Sequence, residues 1–386
     1  MSKIADHSSK SGRILFIDNI RILLIVLIVL HHVAVAYGGS GGWPLKEAPS
    51  DAISPIILFL FNAINQSYVL SFFFLLAGYF IPRSYDKKGP IRFLTDRLIR
   101  LAIPLLFFTT LIISVIDYLV LNFAQGRDLP FLRIMAHQIR NPSWRIGPLW
   151  FVEVLLIFTV IYVLYRLISK LISNYSFNPF KNGFPTNTAI IVSIMAITLG
   201  TFLVRIWFPV GVWVHTFQLA HFVHYTFCFW LGILAYRGKW FDSLSKSQAK
   251  VWKIVALSTV VALPVMMIAL SGAAENIEVF LGGFSWQAFI VAVWESIAAL
   301  SIIISLLYIF QKRYNKQGSL LRWMSPNFYT VYIMHQLVIV AAMIPFLHAA
   351  MPTALKFIFV ALISVPACFV VSDLIRRIPY TKRVLG

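Results

Sequence analysis

Apolar stretches of about 20 residues recur along the whole chain, separated by shorter segments rich in basic and turn-forming residues. Such a stretch crosses a bilayer as a helix, because a helix satisfies its own backbone N–H and C=O groups where lipid offers no partner. The pattern predicts an all-α polytopic membrane protein with about ten transmembrane helices, organised as a single domain over residues 1–386. The predicted spans are 19–38, 55–82, 101–124, 147–169, 188–208, 216–236, 254–271, 285–310, 325–347 and 354–375.

The composition agrees with this pattern. Hydrophobic residues make up 59% of the chain and charged residues 12%, whereas a soluble domain usually carries about 25% charged residues. The N-terminus has no cleavable signal sequence, so the first apolar stretch is expected to stay in the protein. The second span is long and contains Asn62, Asn65 and Gln66, which predicts that it is tilted or broken.

The basic residues predict the orientation of the chain. If the N-terminus is inside, six segments are cytoplasmic, and together with Arg21 they hold 26 of the 33 lysines and arginines. This asymmetry predicts that both termini are cytoplasmic. It also explains the net charge of +19 without a nucleic-acid partner. The six segments are the N-terminal segment 1–18, the loops 83–100, 166–187, 237–253 and 311–323, and the tail 376–386.

The first span aligns a cation with an imidazole. Arg21 and His32 are eleven positions apart, which is three helical turns plus about 20°, so they share a face with a rise of roughly 16 Å. Asp18 lies one turn before Arg21. This alignment favours an anionic cytoplasmic ligand held at Arg21, with its reactive end at His32, whose imidazole accepts a hydroxyl proton. The structural alternative is a histidine bonded between helices and a snorkelling arginine.

Two further groups of polar residues belong to the candidate site. Arg97 and Arg100 are one turn apart at the membrane surface, and paired guanidiniums suit phosphate, although ordinary topogenic charge is the alternative. In the ninth span, Tyr332 shares a polar face that His335 adjoins, which predicts a cavity lining. Tyr332 or His335 is the predicted hydrogen-bond donor to a developing oxyanion.

Two carboxyl groups also fall within spans. Glu153 follows Trp150 near the outer end of the fourth span, and Glu295 lies inside the eighth. Each is interpreted as a protonated structural carboxyl or as the partner of a histidine or arginine. His221 and His224 are one turn apart, but nothing nearby completes a ligand set, so no metal site is predicted.

The remaining features have structural interpretations. The outer segment 125–146 is basic, against the general trend, and both a lid that contacts the acceptor and a plain interfacial helix are open interpretations. Cys228 and Cys368 are predicted to be buried free thiols. The small pair Ala77-Gly78 among bulky residues predicts close helix packing.

In order along the chain, these motifs resemble those of the acyltransferase-3 family of bacterial multi-span membrane O-acyltransferases. The organisation is similar to that of the glucan succinyltransferase branch. Ala77 stands where the family more often has serine, which leaves a hydroxyl role there unsupported. The shared motifs are Asp18 and Arg21 with ten residues to His32, Phe73-Phe74-x-x-Ala77-Gly78, Arg97-x-x-Arg100 with Pro104, Leu149-Trp150-Phe151, the Gly232 region and Tyr332-x-x-His335.

The resemblance implies a donor, an acceptor and a location. The donor is a cytoplasmic acyl-CoA, acetyl-CoA or succinyl-CoA, acting as a co-substrate with no tightly bound cofactor. The acceptor is a hydroxyl of an extracytoplasmic glycan, and the protein lies in the bacterial plasma (inner) membrane among lipid. The resemblance also implies His32 as the catalytic base, with Arg21, Arg97 and Arg100 on the CoA phosphates and Asp18 orienting Arg21.

Gln66, Trp150, Glu153 and Glu295 complete the predicted substrate-binding set, and association into a homo-oligomer is left open. The alternative from another class is a transporter or flippase for a polar or lipid-linked saccharide, because intramembrane His and Glu also serve as proton relays. A non-catalytic assembly partner of a glycan pathway is a third interpretation. Turnover by the protein alone separates the enzyme from both.

Overall fold

The computed structural model describes residues 14–141, 145–172, 183–270 and 278–385. Within these ranges the chain forms helices and no β-strand, and ten helical stretches are long and apolar enough to cross a membrane. The predicted number of spans is confirmed. The ten stretches are α1 (Leu15–Ala36), α2 (Ile53–Lys88), α3 (Pro90–Ala124), α4 (Gly147–Leu171), α5 (Asn187–Trp207), α6 (Leu219–Arg237), α7 (Lys246–Ala269), α8 (Trp286–Arg313), α9 (Ser319–Phe346) and α10 (Thr353–Arg377).

Several helices begin well before the predicted spans. α3 begins at Pro90, where residue 101 was predicted, and α7 begins at Lys246, where residue 254 was predicted. Hydropathy marks only the apolar part of a helix, whereas backbone hydrogen bonding continues through polar turns outside the lipid. The orientation of the bundle remains a prediction, and of the predicted cytoplasmic segments residues 1–13, 173–182 and 386 lie outside the described ranges.

The second helix is unbroken. α2 runs for 36 residues, a length of about 54 Å against a hydrocarbon core of about 30 Å. The predicted break is therefore absent from this helix, and its length requires tilt or extension beyond the lipid. Asn62 and Asn65 are buried within the protein rather than exposed to the apolar surroundings.

α2 and α6 pack with their backbones in contact. A Cβ atom added at Gly78 would lie 2.0 Å from the carbonyl oxygen of Phe229, and one at Gly232 would lie 2.0 Å from that of Leu75. Side chains cannot occupy such distances, so glycine is required at both positions. The close helix contact predicted from Ala77-Gly78 is found here.

α1 is the central helix of the bundle and packs against α2, α8, α9 and α10. Its apolar side chains are buried nearly along its whole length. The residues that the sequence singled out on α1 are consequently surrounded by other helices rather than by lipid.

Ion pairs and hydrogen bonds define two ends of the bundle. At the end that carries the start of α1, Arg166 of α4 and Arg237 of α6 both pair with Asp86, at 3.0 and 2.8 Å. At the other end, Lys356 of α10 pairs with Glu47 in the loop that follows α1. We call these the basic end and the opposite end.

Candidate active site

Arg21 is held in place at the basic end of α1. Its Nη1 atom lies 3.3 Å from Oδ1 of Asp18, one turn earlier on the same helix. Its guanidinium also lies over the rings of Phe80 and Phe328, at 4.5 and 5.3 Å from the ring centroids. A carboxylate and two aromatic faces therefore orient this cation.

Two further arginines reach the same end from α3. The hydroxyl of Tyr329 donates to the backbone carbonyl of Arg100 at 2.7 Å, and the neighbouring Phe328 is the ring that contacts Arg21. Arg97 lies within electrostatic range of both Arg100 and Arg21. The three guanidiniums predicted to bind phosphate are thus brought to one region of the bundle, and we call them the arginine cluster.

A narrow apolar cleft of about 40 Å³ lies between α1, α2, α4 and α9. Ile25 and Ile28 supply its α1 wall, and they occupy the face of α1 between Arg21 and His32. Tyr329, which contacts Arg100, lines the cleft as well. The cleft therefore lies between the arginine cluster and the histidine. Its other lining residues are Leu70, Phe73, Phe151, Phe328 and Tyr332.

His32 is hydrogen-bonded to a second histidine. The Nδ1 atom of His32 lies 3.1 Å from the Nε2 atom of His335 on α9, and the ring centroids are 4.9 Å apart. His335 is fully buried, whereas His32 is partly exposed. The structure brings together two predicted site residues that are separated by 303 positions in the sequence.

The partners of this pair assign its protons. Nδ1 of His335 lies 2.6 Å from the carbonyl oxygen of Tyr332, and a carbonyl only accepts, so the proton of neutral His335 is on Nδ1. Its bare Nε2 atom then accepts from Nδ1–H of His32, which also faces the carbonyl of Ile28 at 3.1 Å. This assignment follows from the hydrogen-bond network. It leaves the lone pair of neutral His32 on Nε2, the arrangement that a general base requires.

Trp43 covers His32 and was not singled out by the sequence. Its ring stacks on the imidazole with a centroid distance of 4.6 Å and an angle of 22°. Trp43 lies in the loop after α1, eleven residues beyond His32, and no motif or helical periodicity marks it. Only the fold of this loop places it over the site.

The predicted oxyanion donors have partners within the protein. The hydroxyl of Tyr332 donates to the carbonyl of Pro148, and His335 donates to Tyr332. Gly147 has φ +48°, and a Cβ there would lie 2.6 Å from Oε1 of Gln336. The turn that begins α4 consequently packs closely against α9. These contacts hold the side chains of Tyr332 and His335 in position.

A second polar cluster joins α5, α6 and α8. Nη2 of Arg205 lies 2.6 Å from Oε2 of Glu295, and both residues are buried. Nδ1 of His221 lies 3.3 Å from the other carboxylate oxygen, and His224 faces Thr201 at 3.2 Å. Glu295 is therefore the partner of an arginine and a histidine, one of the two interpretations given for it.

The other predicted substrate contacts lie near Tyr225 of α6. The side-chain amide of Gln66 donates to the hydroxyl of Tyr225 at 3.1 Å, and the ring of Trp150 lies 5.5 Å from the Tyr225 ring. Glu153 accepts a hydrogen bond from Thr216 at 2.8 Å. These three residues are partly buried, at the junction of α2, α4 and α6.

The described part of segment 125–146 contains one amphipathic helix, Phe131–Arg140. Its buried Gln138 donates to the carbonyl of Thr109 at 3.1 Å, while Leu132 and Ile139 are exposed. Apolar side chains facing outward beside arginines are typical of an interfacial helix, and residues 142–144 lie outside the described ranges.

Both cysteines are buried and free, as predicted. Over the described ranges, no group of three or more His, Cys, Asp or Glu side chains is arranged to hold a metal ion.

Comparison with known families matches residues 14–373 to the acyltransferase-3 family, described as an acyltransferase domain. Among curated proteins, the chain is similar to glucans biosynthesis protein C of Escherichia coli. The identity is 27% over 150 residues for strain 536 and for strain K12, and 26% for the O1:K1 strain. Each match covers 38% of this chain and 37% of the relative, so the chain spans well under half the length of these relatives. No solved structure gives a significant match.

Proposed function

The chain belongs to the acyltransferase-3 family and has ten helices long and apolar enough to cross a membrane, and we propose that it is a membrane acyltransferase that transfers an acyl group from cytoplasmic acyl-CoA to a hydroxyl of an extracytoplasmic glycan. Acetyl and succinyl are the proposed acyl groups, and the bacterial plasma membrane is the proposed location. The observation that carries the proposal is the hydrogen-bonded pair of His32 and His335, separated from the arginine cluster by an apolar cleft.

The basic end suits the CoA part of the donor. Guanidinium groups bind phosphate through charge-assisted hydrogen bonds, and three of them meet here. Asp18 and two aromatic rings already orient Arg21, so less conformational freedom is lost when an anion binds. With the N-terminus inside, as the basic loops predict, this end faces the cytoplasm, where acyl-CoA is found.

The cleft marks a path for the arm that carries the thioester. Its volume of about 40 Å³ is smaller than such an arm, so the side chains that line it must move apart when the arm enters. The cleft is narrow and lined by apolar and aromatic side chains, and Arg21 and His32 at its two ends are separated by a rise of roughly 16 Å along α1. An extended, weakly polar chain anchored by its phosphates at Arg21 would bring its thioester towards His32. Holding the two reactants in this way lowers the entropic barrier of the reaction.

The chemistry then needs one base. Nε2 of His32 takes the proton of the acceptor hydroxyl, whose oxygen attacks the thioester carbonyl. The tetrahedral intermediate collapses with cleavage of the C–S bond, and the departing thiolate of CoA takes the proton back from His32. His335 accepts from Nδ1–H throughout and stabilises the imidazolium that forms.

Tyr332 and His335 act in this proposal mainly as positioning residues, because their polar hydrogens are already engaged with backbone carbonyls. Gln66, Trp150 and Glu153 remain proposed contacts of the substrates, whereas the buried Glu295 is engaged by Arg205 and His221. The glycan acceptor is supported by the relatives, whose name concerns glucan biosynthesis.

The test is transfer by the purified protein. The protein in detergent or vesicles is given radiolabelled acetyl-CoA or succinyl-CoA with a glycan extract, and labelled glycan is measured. His32→Ala is expected to abolish labelling. Full activity of His32→Ala would overturn the mechanism, and no labelled product from either donor would overturn the proposed reaction in favour of transport or an assembly role.

A further inference from the structure

A second cavity, of about 490 Å³, lies at the opposite end of the bundle. It is bounded by the loop after α1 and by the start of α10, and its volume lies in the range of roughly 300–1,000 Å³ that is usual for small-molecule sites. Its polar lining includes Tyr37, Glu47, Asp51, Thr353 and Lys356. The proposed acyl-CoA donor binds at the basic end and does not occupy this cavity.

The walls of the cavity are fixed by specific bonds. The backbone N–H of Glu47 donates to the carbonyl of Ala36 at 2.9 Å, and its carboxylate forms the ion pair with Lys356. The backbone N–H of Ser50 donates to Oγ1 of Thr353 at 2.8 Å. The loop is thus tied both to α1 and to α10, and the cavity is a built feature of the fold.

Two polar groups in the lining have no hydrogen-bond partner among the described residues. The hydroxyl of Tyr37 is one, although the side chain is only 1% exposed, and Oε2 of Glu47 is the other. Both residues line the cavity. Buried polar groups are rarely left unpaired, because their desolvation is then uncompensated. Hydroxyl groups of a ligand would satisfy both atoms.

The lining of the cavity offers hydrogen-bond donors and acceptors side by side. The phenolic hydroxyl of Tyr37 is protonated at neutral pH and offers a donor. Glu47 offers an acceptor, and the buried ammonium of Lys356 offers donors beside it. Adjacent donors and acceptors match the hydroxyls of a sugar ring, each of which both donates and accepts.

The cavity is close to the proposed base, on the side away from the arginine cluster. Glu47 is bonded to Ala36, which is four residues after His32 on nearly the same helix face, a rise of about 6 Å. The same loop carries Trp43, whose ring stacks on His32. The backbone of Glu47 is therefore held about one helical turn along α1 from His32.

We propose that this cavity binds the saccharide acceptor, with Tyr37 and Glu47 bonding to its hydroxyls. The inference rests on the proposed function and adds the acceptor-binding residues to it. Donor and acceptor then approach His32 from opposite ends of α1, so that neither substrate blocks the access of the other.

The sharpest variant is Tyr37→Phe, which removes only a hydroxyl that has no hydrogen-bond partner among the described residues. Transfer of label from acetyl-CoA or succinyl-CoA is measured against the concentration of the glycan extract. We expect the concentration of glycan extract that gives the half-maximal rate to rise about fivefold or more, because one hydrogen bond to the acceptor is lost. The KM for acyl-CoA should stay unchanged, and the unfolding temperature should be unchanged or raised.

The double variant Glu47→Gln/Lys356→Gln places a neutral pair at the position of the ion pair. It is also expected to raise the concentration of glycan extract that gives the half-maximal rate. Lys46→Gln is the control, because Lys46 is exposed beside Glu47 and bonds to the carbonyl of Gly41 at 3.0 Å. If the wild type transfers label and both cavity variants saturate like the control, the acceptor site is overturned and the proposed function stands. If the wild type transfers no label, both are overturned.

Discussion

Nε2 of His335 lies 3.1 Å from Nδ1 of His32 and links α9 to the central helix α1. Because His335 also donates to the carbonyl of Tyr332, its orientation is fixed by its own helix. The pair therefore sets the tautomer of His32 and directs the lone pair of that imidazole away from α9. Five predictions concern this pair, the arginine cluster, the tryptophan over the base, and the packing and ion pairing of the helices.

The first concerns the second histidine. In His335→Ala the imidazolium of His32 loses one of its two acceptors and keeps the carbonyl of Ile28. We therefore expect kcat to fall about 10- to 100-fold, the value of a hydrogen bond to a charged group. The KM for acyl-CoA should stay unchanged, because the arginine cluster is not altered. The measurement is steady-state transfer of labelled acyl groups to the glycan extract.

His335→Gln is the matched control, since its amide oxygen is able to accept the same proton. We expect it to recover a part of the lost kcat. Equal and complete loss in both variants, with unfolding temperatures lowered alike, would instead indicate a purely structural role for His335.

The second prediction concerns the arginine cluster. Arg97→Ala is expected to raise the KM for acyl-CoA about tenfold or more, because a charge-assisted contact to phosphate is lost. Arg97→Lys should restore only part of the affinity for acyl-CoA, since an ammonium lacks the two-pronged geometry of the guanidinium. Lys87→Ala at an exposed position of the same end is the control. If Arg97→Ala and Lys87→Ala have the same KM, the cluster is not the donor site.

The third prediction concerns the tryptophan over the base. Removing the ring in Trp43→Ala uncovers His32 and admits water. We expect the hydrolysis of acyl-CoA by water to increase relative to acyl transfer to the glycan. Trp43→Phe keeps a stacked ring and should resemble the wild type. The ratio of free acid to acylated glycan is the measurement. An unchanged ratio in Trp43→Ala would show that the ring does not shield the site.

The fourth prediction concerns the contact of α2 with α6. Gly78→Ala places a Cβ against the backbone of Phe229, so the helices must separate. We expect a loss of about 1–3 kcal/mol in stability, the usual cost of overpacking, seen as a lower unfolding temperature in detergent. Gly42→Ala is the control, because a Cβ there meets nothing within 4 Å. Equal unfolding temperatures would contradict the contact.

The fifth prediction concerns the buried ion pair. Glu295→Gln leaves the guanidinium of Arg205 buried and without its carboxylate, which is expected to cost about 3–5 kcal/mol. The double variant Arg205→Met/Glu295→Met removes both charges and should be more stable than the single variant. Unfolding temperatures of the three proteins provide the test. A single variant as stable as the wild type would show that the pair contributes little to folding.

Much of the fold could be predicted because membrane-spanning helices are encoded locally. Each span is recognisable from the hydropathy of its own residues, and the alignment of Arg21 with His32 depends only on the geometry of a single helix. The glycine at position 78 was likewise marked by its bulky neighbours. The ends of the helices were less well predicted, because backbone hydrogen bonding extends past the apolar residues.

The sequence by itself determined which helices form and which polar groups each one carries within the bilayer. Only the tertiary structure decided that His32 meets His335, that Trp43 covers the pair, and that the loop after α1 closes a cavity against α10. The physical reason is that hydropathy and periodicity describe one helix at a time. The rotation and neighbours of each helix are set by packing between segments that lie hundreds of residues apart.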